Sequence, residues 1–275
     1  MNVRELYRQV VETLTTAGVE AAAADGRELV EFALQVPVAR NFSEVDGSSI
    51  ARVRQLVQRR VRREPVQHIT GRMFFRALTL KAAAGVFVVR PETEMVAEAA
   101  IELARDFSSP VVVDLCTGSG AIAAAVASEV PTAQVHAVEI SAAAVTLAHQ
   151  NLPPAVSLVE GDATNPAVLA YLDGTVNVVV SNPPYLPVAV VDQPEALADP
   201  PAALYGGGKD GLRVPIRIIA RAATLLAPGG FLVMEHDPSQ SEYLRRAAHG
   251  AGFVSARTQR DLTGRERYLV AGVAH

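Results

Sequence analysis

The chain has 275 residues, is 49% hydrophobic and 20% charged, and carries 25 basic against 29 acidic side chains for a net charge of −4. That balance argues against a protein that coats a polyanion, and no apolar run approaches the ~20 residues a membrane-spanning helix needs. The single cysteine, Cys116, excludes an internal disulfide, no Cys/His cluster has metal-ligand spacing, and Met1 to Glu5 lacks the pattern of a secretory leader, so the expected compartment is the cytoplasm.

Val3, Leu6, Val10 and Leu14 recur at helical spacing, and Gly18 follows as a C-cap. A second helix runs through Leu29, Phe32 and Ala33 and stops at Pro37. Between Ile50 and Arg63 lie six arginines and no acid; a helical projection puts Ile50, Val53, Val57 and Val61 on one side, with Arg52, Arg59 and Arg63 roughly opposite. That basic face reads either as a solvated helix surface or as a contact for an acidic or nucleic-acid-bearing partner. Residues 1–70 are expected to form a small helical domain without catalytic groups. Residues 71–91, where Phe74, Phe75, Leu78, Leu80, Phe87 and Val88 are interrupted by Gly85, predict a hairpin-like connector.

From Glu92 the pattern alternates. A helix through Val96, Ala100 and Leu103 precedes a strand at Val111 to Leu115, and an alanine-rich helix follows over Ala121 to Ala127. Strands are expected at Val135 to Glu139, Val156 to Val159 and Val176 to Val180, with a helix capped by Ser141 and a short one near Val168 to Leu172. After a long loop, a helix over Leu212 to Leu226 leads into Phe231 to Glu235, and a helix from Gln240 to Ala251 precedes strands at Phe253 to Arg257 and Tyr268 to Val273. Alternation of this kind implies a mainly parallel sheet with helices on both faces. The last two strands have no helix between them and should pair antiparallel.

Such sheets bind ligands beyond the carboxyl ends of their strands. Asp114, Cys116, Thr117, Gly118, Ser119 and Gly120 end the first of these strands and open a helix, where glycines admit close backbone approach and free N–H groups face outward. Glu139 ends the next strand, placed to accept hydrogen bonds from ribose hydroxyls. Asp162 follows the third, where an acid can take the hydrogens of an adenine amino group. Behind the fourth stands Asn182-Pro183-Pro184-Tyr185. Its prolines fix the backbone and remove donors, so carbonyl acceptors and the Asn182 oxygen can grip a planar NH2 group against the Tyr185 ring. The tetrapeptide also fits a plain turn after a strand. Gly118-Ser119-Gly120-Ala121-Ile122-Ala123 leaves a dinucleotide fingerprint open.

The Asp114 to Gly120 loop, the second-strand acid Glu139 and the Asn-Pro-Pro-Tyr loop together resemble the class I S-adenosylmethionine-dependent methyltransferases. Three more segments sharpen the likeness: Glu64 to Gly71 (Glu-Pro-Val-Gln-His-Ile-Thr-Gly), Arg90-Pro91-Glu92-Thr93-Glu94, and Leu204 to Leu212. With the helical N-terminus and Glu235-His236, the chain resembles over essentially its whole length the PrmC/HemK family, which methylates a glutamine of peptide chain release factors. The resemblance implies an α/β fold: a Rossmann-like seven-stranded mixed sheet (92–275), a β-hairpin connector (71–91) and an N-terminal helical bundle (1–70) that recognises the partner. It implies S-adenosylmethionine as cofactor, bound by Asp114, Cys116, Thr117, Gly118, Ser119, Gly120, Glu139, Asp162, Ala163 and Asn182. The substrate would be the glutamine side chain in the Gly-Gly-Gln motif of class-1 release factors, held by Asn182, Pro183, Pro184, Tyr185, Arg90 and Glu92, with Asn182, Pro183 and Tyr185 catalytic.

Four positions depart from the family pattern. Cys116 stands where glycine is commoner, Val89 replaces a frequent proline, Ala163 takes the place of an aromatic residue in some members, and Asp237 replaces a common glycine after His236. The rival reading is an adenine or cytosine amino methyltransferase acting on nucleic acid, with Arg52, Arg59 and Arg63 as phosphate contacts; the acidic balance counts against it. A noncatalytic cofactor-binding scaffold is a third.

Overall fold

A computed structural model describes residues 1–187 and 194–275 and divides them into two compact units. One comprises Met1–Arg72, Ala82–Ala84 and 194–198; the other comprises Met73–Lys81, 85–187 and Asp199–His275.

In the first unit, α1 (Val3–Thr16), α2 (Ala22–Leu34), α3 (Gly47–Val61) and the short α4 (Val66–Thr70) share one apolar core. α1 starts at a reciprocal cap between Asn2 and Glu5, and its buried residues are the four that helical spacing selects, Val3, Leu6, Val10 and Leu14. α3 begins where the Asp46 carboxylate accepts the Ser49 N–H at 2.9 Å, and Val53 and Val57 face inward. The expected basic face is only partly present. Arg59 grips Glu64, while Arg63 lies beyond the helix end at φ 70° and donates to the Ala17 and Gly18 carbonyls and to Glu195. Arg60 is buried and ion-paired to Asp25 at 2.7 Å and to Glu195 at 2.8 Å. Arg52, Arg54 and Arg62 stay exposed. Guanidiniums so near a core reach back for carboxylates and carbonyls, which a projection of Cα positions does not show.

The second unit opens with β1 (Arg72–Phe75), whose first residue belongs to the helical unit, and β2 (Leu78–Lys81), which form a two-stranded sheet. Its turn falls at Arg76 and Ala77, not at Gly85, and Phe87 and Val88 lie in an irregular strap outside any strand. Arg76 closes the turn: at φ 53° it aims its guanidinium at Glu98 and Glu129 and its N–H at Glu94. Next come α5 (Thr93–Arg105), β3 (Val111–Leu115), α6 (Ala121–Glu129), β4 (Gln134–Glu139), α7 (Ala142–Asn151), β5 (Ser157–Glu160) and β6 (Val176–Ser181). α8 (Pro201–Leu204), α9 (Arg213–Leu225), β7 (Leu226–Glu235), α10 (Ser241–Gly250), β8 (Ser255–Arg260) and β9 (Glu266–Gly272) complete the unit. The stretch near Val168 to Leu172 forms only a 3-10 turn, Ala170–Leu172.

The seven strands lie in the order β5-β4-β3-β6-β7-β9-β8, with β3 to β7 parallel and β9 antiparallel to both neighbours. Val112, Val113, Val178, Val179 and Val180 are fully buried, as expected of central strands covered on both faces. From β3 the chain steps one way to β4 and β5, then returns to the other side of β3 as β6. The crevice at this reversal lies beyond Leu115 and Ser181. No helix among the described residues is long and apolar enough to cross a membrane.

Candidate active site

The loop after β3 is tied down from within. Asp114 is fully buried; its Oδ2 accepts the Thr117 hydroxyl at 2.6 Å and the Ala123 N–H at 3.1 Å, while its Oδ1 has no partner among the described residues. Burial pushes the Asp114 carboxyl up to about 7. The Thr117 N–H reaches across to the Val138 carbonyl, and Gly120, at φ 85°, packs so closely on Leu152 that a Cβ would meet its Cγ at 3.0 Å. Cys116, at φ 65°, takes the left-handed conformation that glycine occupies without strain, and burial raises its thiol well above the ordinary range. A Cβ on Gly118 would point into open space, so there the backbone borders the crevice directly.

One cavity gathers most of the residues expected at the site: Cys116, Gly118, Glu139, Asp162, Ala163, Asn182, Pro183, Pro184 and Tyr185 all line it. Asp114, Thr117, Ser119 and Gly120 stand behind its wall, and Arg90 and Glu92 are not among its lining residues. Glu139 ends β4 with Oε2 on the Gly118 N–H and Oε1 on the Ser141 N–H, both at 2.8 Å, which fixes its carboxylate at the rim. Asp162 is exposed; Oδ1 caps its own turn through Thr164, and Oδ2 accepts no hydrogen bond from the described residues. Sequence reasoning missed the apolar lining. Ile140 is 64% exposed although apolar, and with Val86, Phe87 and Leu204 it offers faces that a flat ring could cover. An isoleucine directly after a strand-end acid was the available signal.

The Asn182 to Tyr185 loop is held rigid by the Leu204 to Leu212 segment. The Tyr185 and Leu186 N–H groups donate to the Leu204 carbonyl at 3.1 and 2.8 Å, and Gly206 N–H donates to Leu186 O at 3.1 Å. A Cβ on Gly206 would collide with the Gly211 carbonyl and come within 2.7 Å of the Pro184 oxygen; one on Gly211 would collide with the Tyr185 oxygen. Those glycines let two backbones touch. Gln240 adds a clamp, its Nε2 donating to both Tyr185 O and Asp210 O at 2.8 Å. No described N–H donates to the Pro183 carbonyl.

Behind the loop runs a buried polar chain: Asn182 Nδ2 donates to Thr93 Oγ1 (3.2 Å), Thr93 donates to Glu235 Oε2 (2.7 Å), and Tyr185 donates to Glu235 Oε1 (3.0 Å). Burial pushes Glu235 up to about 7 and raises the Tyr185 phenol well above its ordinary value. Arg90 ion-pairs with Asp199 at 2.5 Å, donates to Val88 O and lies over the Phe87 ring, and Asp199 also accepts the Val88 N–H. Glu92 lies 3.8 Å from Arg267. His236 is buried, with Nδ1 against Asp237 O, and burial lowers its imidazole. The Leu186 to Tyr205 segment, rich in proline and acids and long for a βα connection, reads from sequence as either a substrate entrance or a surface loop; 188–193 lie outside the described residues, and Pro200, Ala202, Ala203 and Leu204 line the cavity.

The chain is 43% identical to a release factor glutamine methyltransferase of Bifidobacterium longum, over 98% of this chain and 99% of that one. It belongs to that family. An enzyme of the same name from Streptomyces coelicolor is 42% identical over 96% and 95% of the two chains. The methyltransferase small domain family matches residues 77–194, and the PrmC N-terminal domain family matches 5–71. A further relative, the 4-amino-L-phenylalanine/4-methylamino-L-phenylalanine methyltransferase of Streptomyces pristinaespiralis, is 41% identical over 82% of this chain and 80% of that one. The protein is therefore an S-adenosylmethionine-dependent methyltransferase. The cavity suits that cofactor: open space over Gly118, a carboxylate at Glu139 and an uncovered Ile140 match a molecule with hydroxylated and aromatic parts.

Proposed function

We infer that this methyltransferase modifies the side-chain amide nitrogen, N5, of the glutamine in the Gly-Gly-Gln motif of class-1 release factors. The observation that carries the reading is the Asn182 carboxamide, whose NH2 is engaged by Thr93 and whose oxygen accepts no hydrogen bond from the described residues. With the open Pro183 carbonyl it forms a pair of acceptors for the two hydrogens of an amide NH2. Full-length likeness to release factor enzymes, N-terminal domain included, supports a protein substrate.

When bound, S-adenosylmethionine would supply an electrophilic sulfonium methyl and leave as the neutral thioether, with the proton displaced from the amide nitrogen passing to solvent water. The protein's task is alignment. An amide nitrogen is a weak nucleophile because its lone pair is delocalised into the carbonyl. Fixing both N–H groups on Asn182 Oδ1 and Pro183 O sets the amide plane and raises electron density on nitrogen as the proton loosens. In this reading Gly118, Glu139, Ile140, Asp162 and Ala163 hold the cofactor, with Cys116 on the cavity wall and Asp114, Thr117, Ser119 and Gly120 shaping the loop. Pro184 and Tyr185 flank the amide, while Arg90 and Glu92 support the substrate side from behind. The compartment that holds this substrate is the cytoplasm.

Transfer of labelled methyl from S-adenosylmethionine tests the reading. Label should enter a release factor but not one whose Gly-Gly-Gln glutamine is replaced by alanine. Incorporation into DNA or into free 4-amino-L-phenylalanine, with none into the release factor, would refute it.

A further inference from the structure

A carboxamide has two ends of nearly equal size, and its neighbours decide which end faces a ligand. At Asn182 the decision is made two hydrogen bonds away. Glu235, 1% exposed at the end of β7, has two oxygens and, when ionised, no proton to give. It takes the single hydroxyl proton of Thr93 at 2.7 Å and that of Tyr185 at 3.0 Å. Thr93, also 1% exposed, therefore turns only a lone pair toward Asn182, which must meet it with NH2, at 3.2 Å. The Asn182 oxygen is then left for the cavity.

We propose that Thr93 and Glu235 are positioning residues that lock the Asn182 carboxamide in its acceptor orientation, so that the site receives an NH2 group rather than a carbonyl. This rests on the amide-nitrogen reading of the site. It gives the Arg90 to Glu94 segment a use beyond substrate contact, since its threonine sets the polarity of the Asn182 loop. Glu235 also fixes the Tyr185 hydroxyl, so one carboxylate orders both polar side chains of the tetrapeptide.

A protonated Glu235 has one O–H to donate. Given to Thr93, it frees the threonine proton to point at Asn182, and the carboxamide gains by turning its oxygen inward. The titratable and charged groups facing Glu235 are Glu92 at the head of α5, Arg267 on β9 and Tyr185; Glu92 favours protonation and Arg267 opposes it. With the carboxyl pushed up to about 7 by burial, the acceptor orientation is present above that pH and fades below it.

The test uses the full-length enzyme, a release factor and S-adenosylmethionine. Thr93→Val keeps the shape and removes the hydroxyl; kcat should fall at least about tenfold, with cofactor affinity by calorimetry held within about twofold. Thr93→Ser should recover kcat to within about threefold of the parent. In Glu235→Gln the fall of kcat below pH 7 should disappear. A Thr93→Val enzyme with parental kcat, or a Thr93→Ser enzyme as slow as Thr93→Val, overturns the proposal, because packing and not the hydroxyl would then matter. Should Thr93→Val fail to fold, the Thr93→Ser rate and the pH profile of Glu235→Gln decide: persistence of the parental acid limb overturns the proposal. Parental turnover in the same assay tests the amide-nitrogen reading separately.

Discussion

At the scale of single residues, the Asn182 carboxamide is defined by the atom it leaves without a partner. Asn182 spends its NH2 on Thr93 and keeps its oxygen open. Replacing it with alanine removes one preorganised acceptor, and single-turnover methyl transfer should slow by roughly 10²-fold while calorimetric cofactor affinity changes far less. Ile140 works by shape. At 64% exposure it has apolar area that a flat base could cover, and Ala163, also in the cavity lining, contributes only a methyl group. Ile140→Ala should cost about 1 kcal/mol of cofactor binding, a roughly fivefold weaker Kd in the same titration, with little change in Tm because the side chain lies outside the core.

At the scale of elements, the Asn182 to Tyr185 loop is shaped less by its own prolines than by the segment behind it. Gly206 and Gly211 allow carbonyl-to-backbone contact with Pro184 and Tyr185, and no larger residue fits either place. Gly206→Ala or Gly211→Ala should displace the loop, lowering kcat at least about tenfold; displacement of only 1 Å costs about 10²-fold in comparable cases. The Gly118 rim and Glu139 are built separately, so cofactor affinity in these variants should stay near that of the parent. The Arg90 to Glu94 segment acts as a tie. Arg90 pins Asp199, Thr93 reaches Asn182 and Glu94 receives the Arg76 N–H, so three neighbouring side chains fix the strap, the loop and the hairpin of the second unit.

At the scale of the whole molecule, buried charge sets stability. In the helical unit Arg60 is paired with Asp25 inside the core. Asp25→Ala leaves that guanidinium with the Glu64 carbonyl and, among the described carboxylates, Glu195, and should lower the unfolding free energy of the unit by about 3 kcal/mol in urea titrations. In the sheet unit, burial raises the folded-state carboxyl of Asp114 from the usual carboxylate range to about 7. Its neutral form is the favoured one, so its contribution is complete below about pH 4 and is lost as pH rises through 7. The unfolding free energy of the parent minus that of Asp114→Asn should therefore decline between pH 4 and 7, by up to about 1.4 kcal/mol per pH unit, and then level off. A flat difference across that window would show that the carboxyl ionises as freely folded as unfolded.

The sequence by itself determined the sheet and the cavity rim. Strand-helix alternation, valine runs buried on both faces and two final strands without a helix between them specify a parallel sheet with an antiparallel edge, because periodicity and connection length are local properties. Strand-end residues such as Glu139 and Asn182 were legible for the same reason: in a sheet of this type the carboxyl ends converge whatever lies elsewhere. Tertiary structure alone decided the partners. That Thr93 meets Asn182 across 89 positions, that Glu235 takes protons from both Thr93 and Tyr185, and that Arg63 turns away from the helix surface toward Ala17, Gly18 and Glu195 leave no periodic trace. The bonds to Glu235 depend on the register of β7 against β6, and one residue of slip would turn the Glu235 side chain to the other face of the sheet, away from Thr93 and Tyr185.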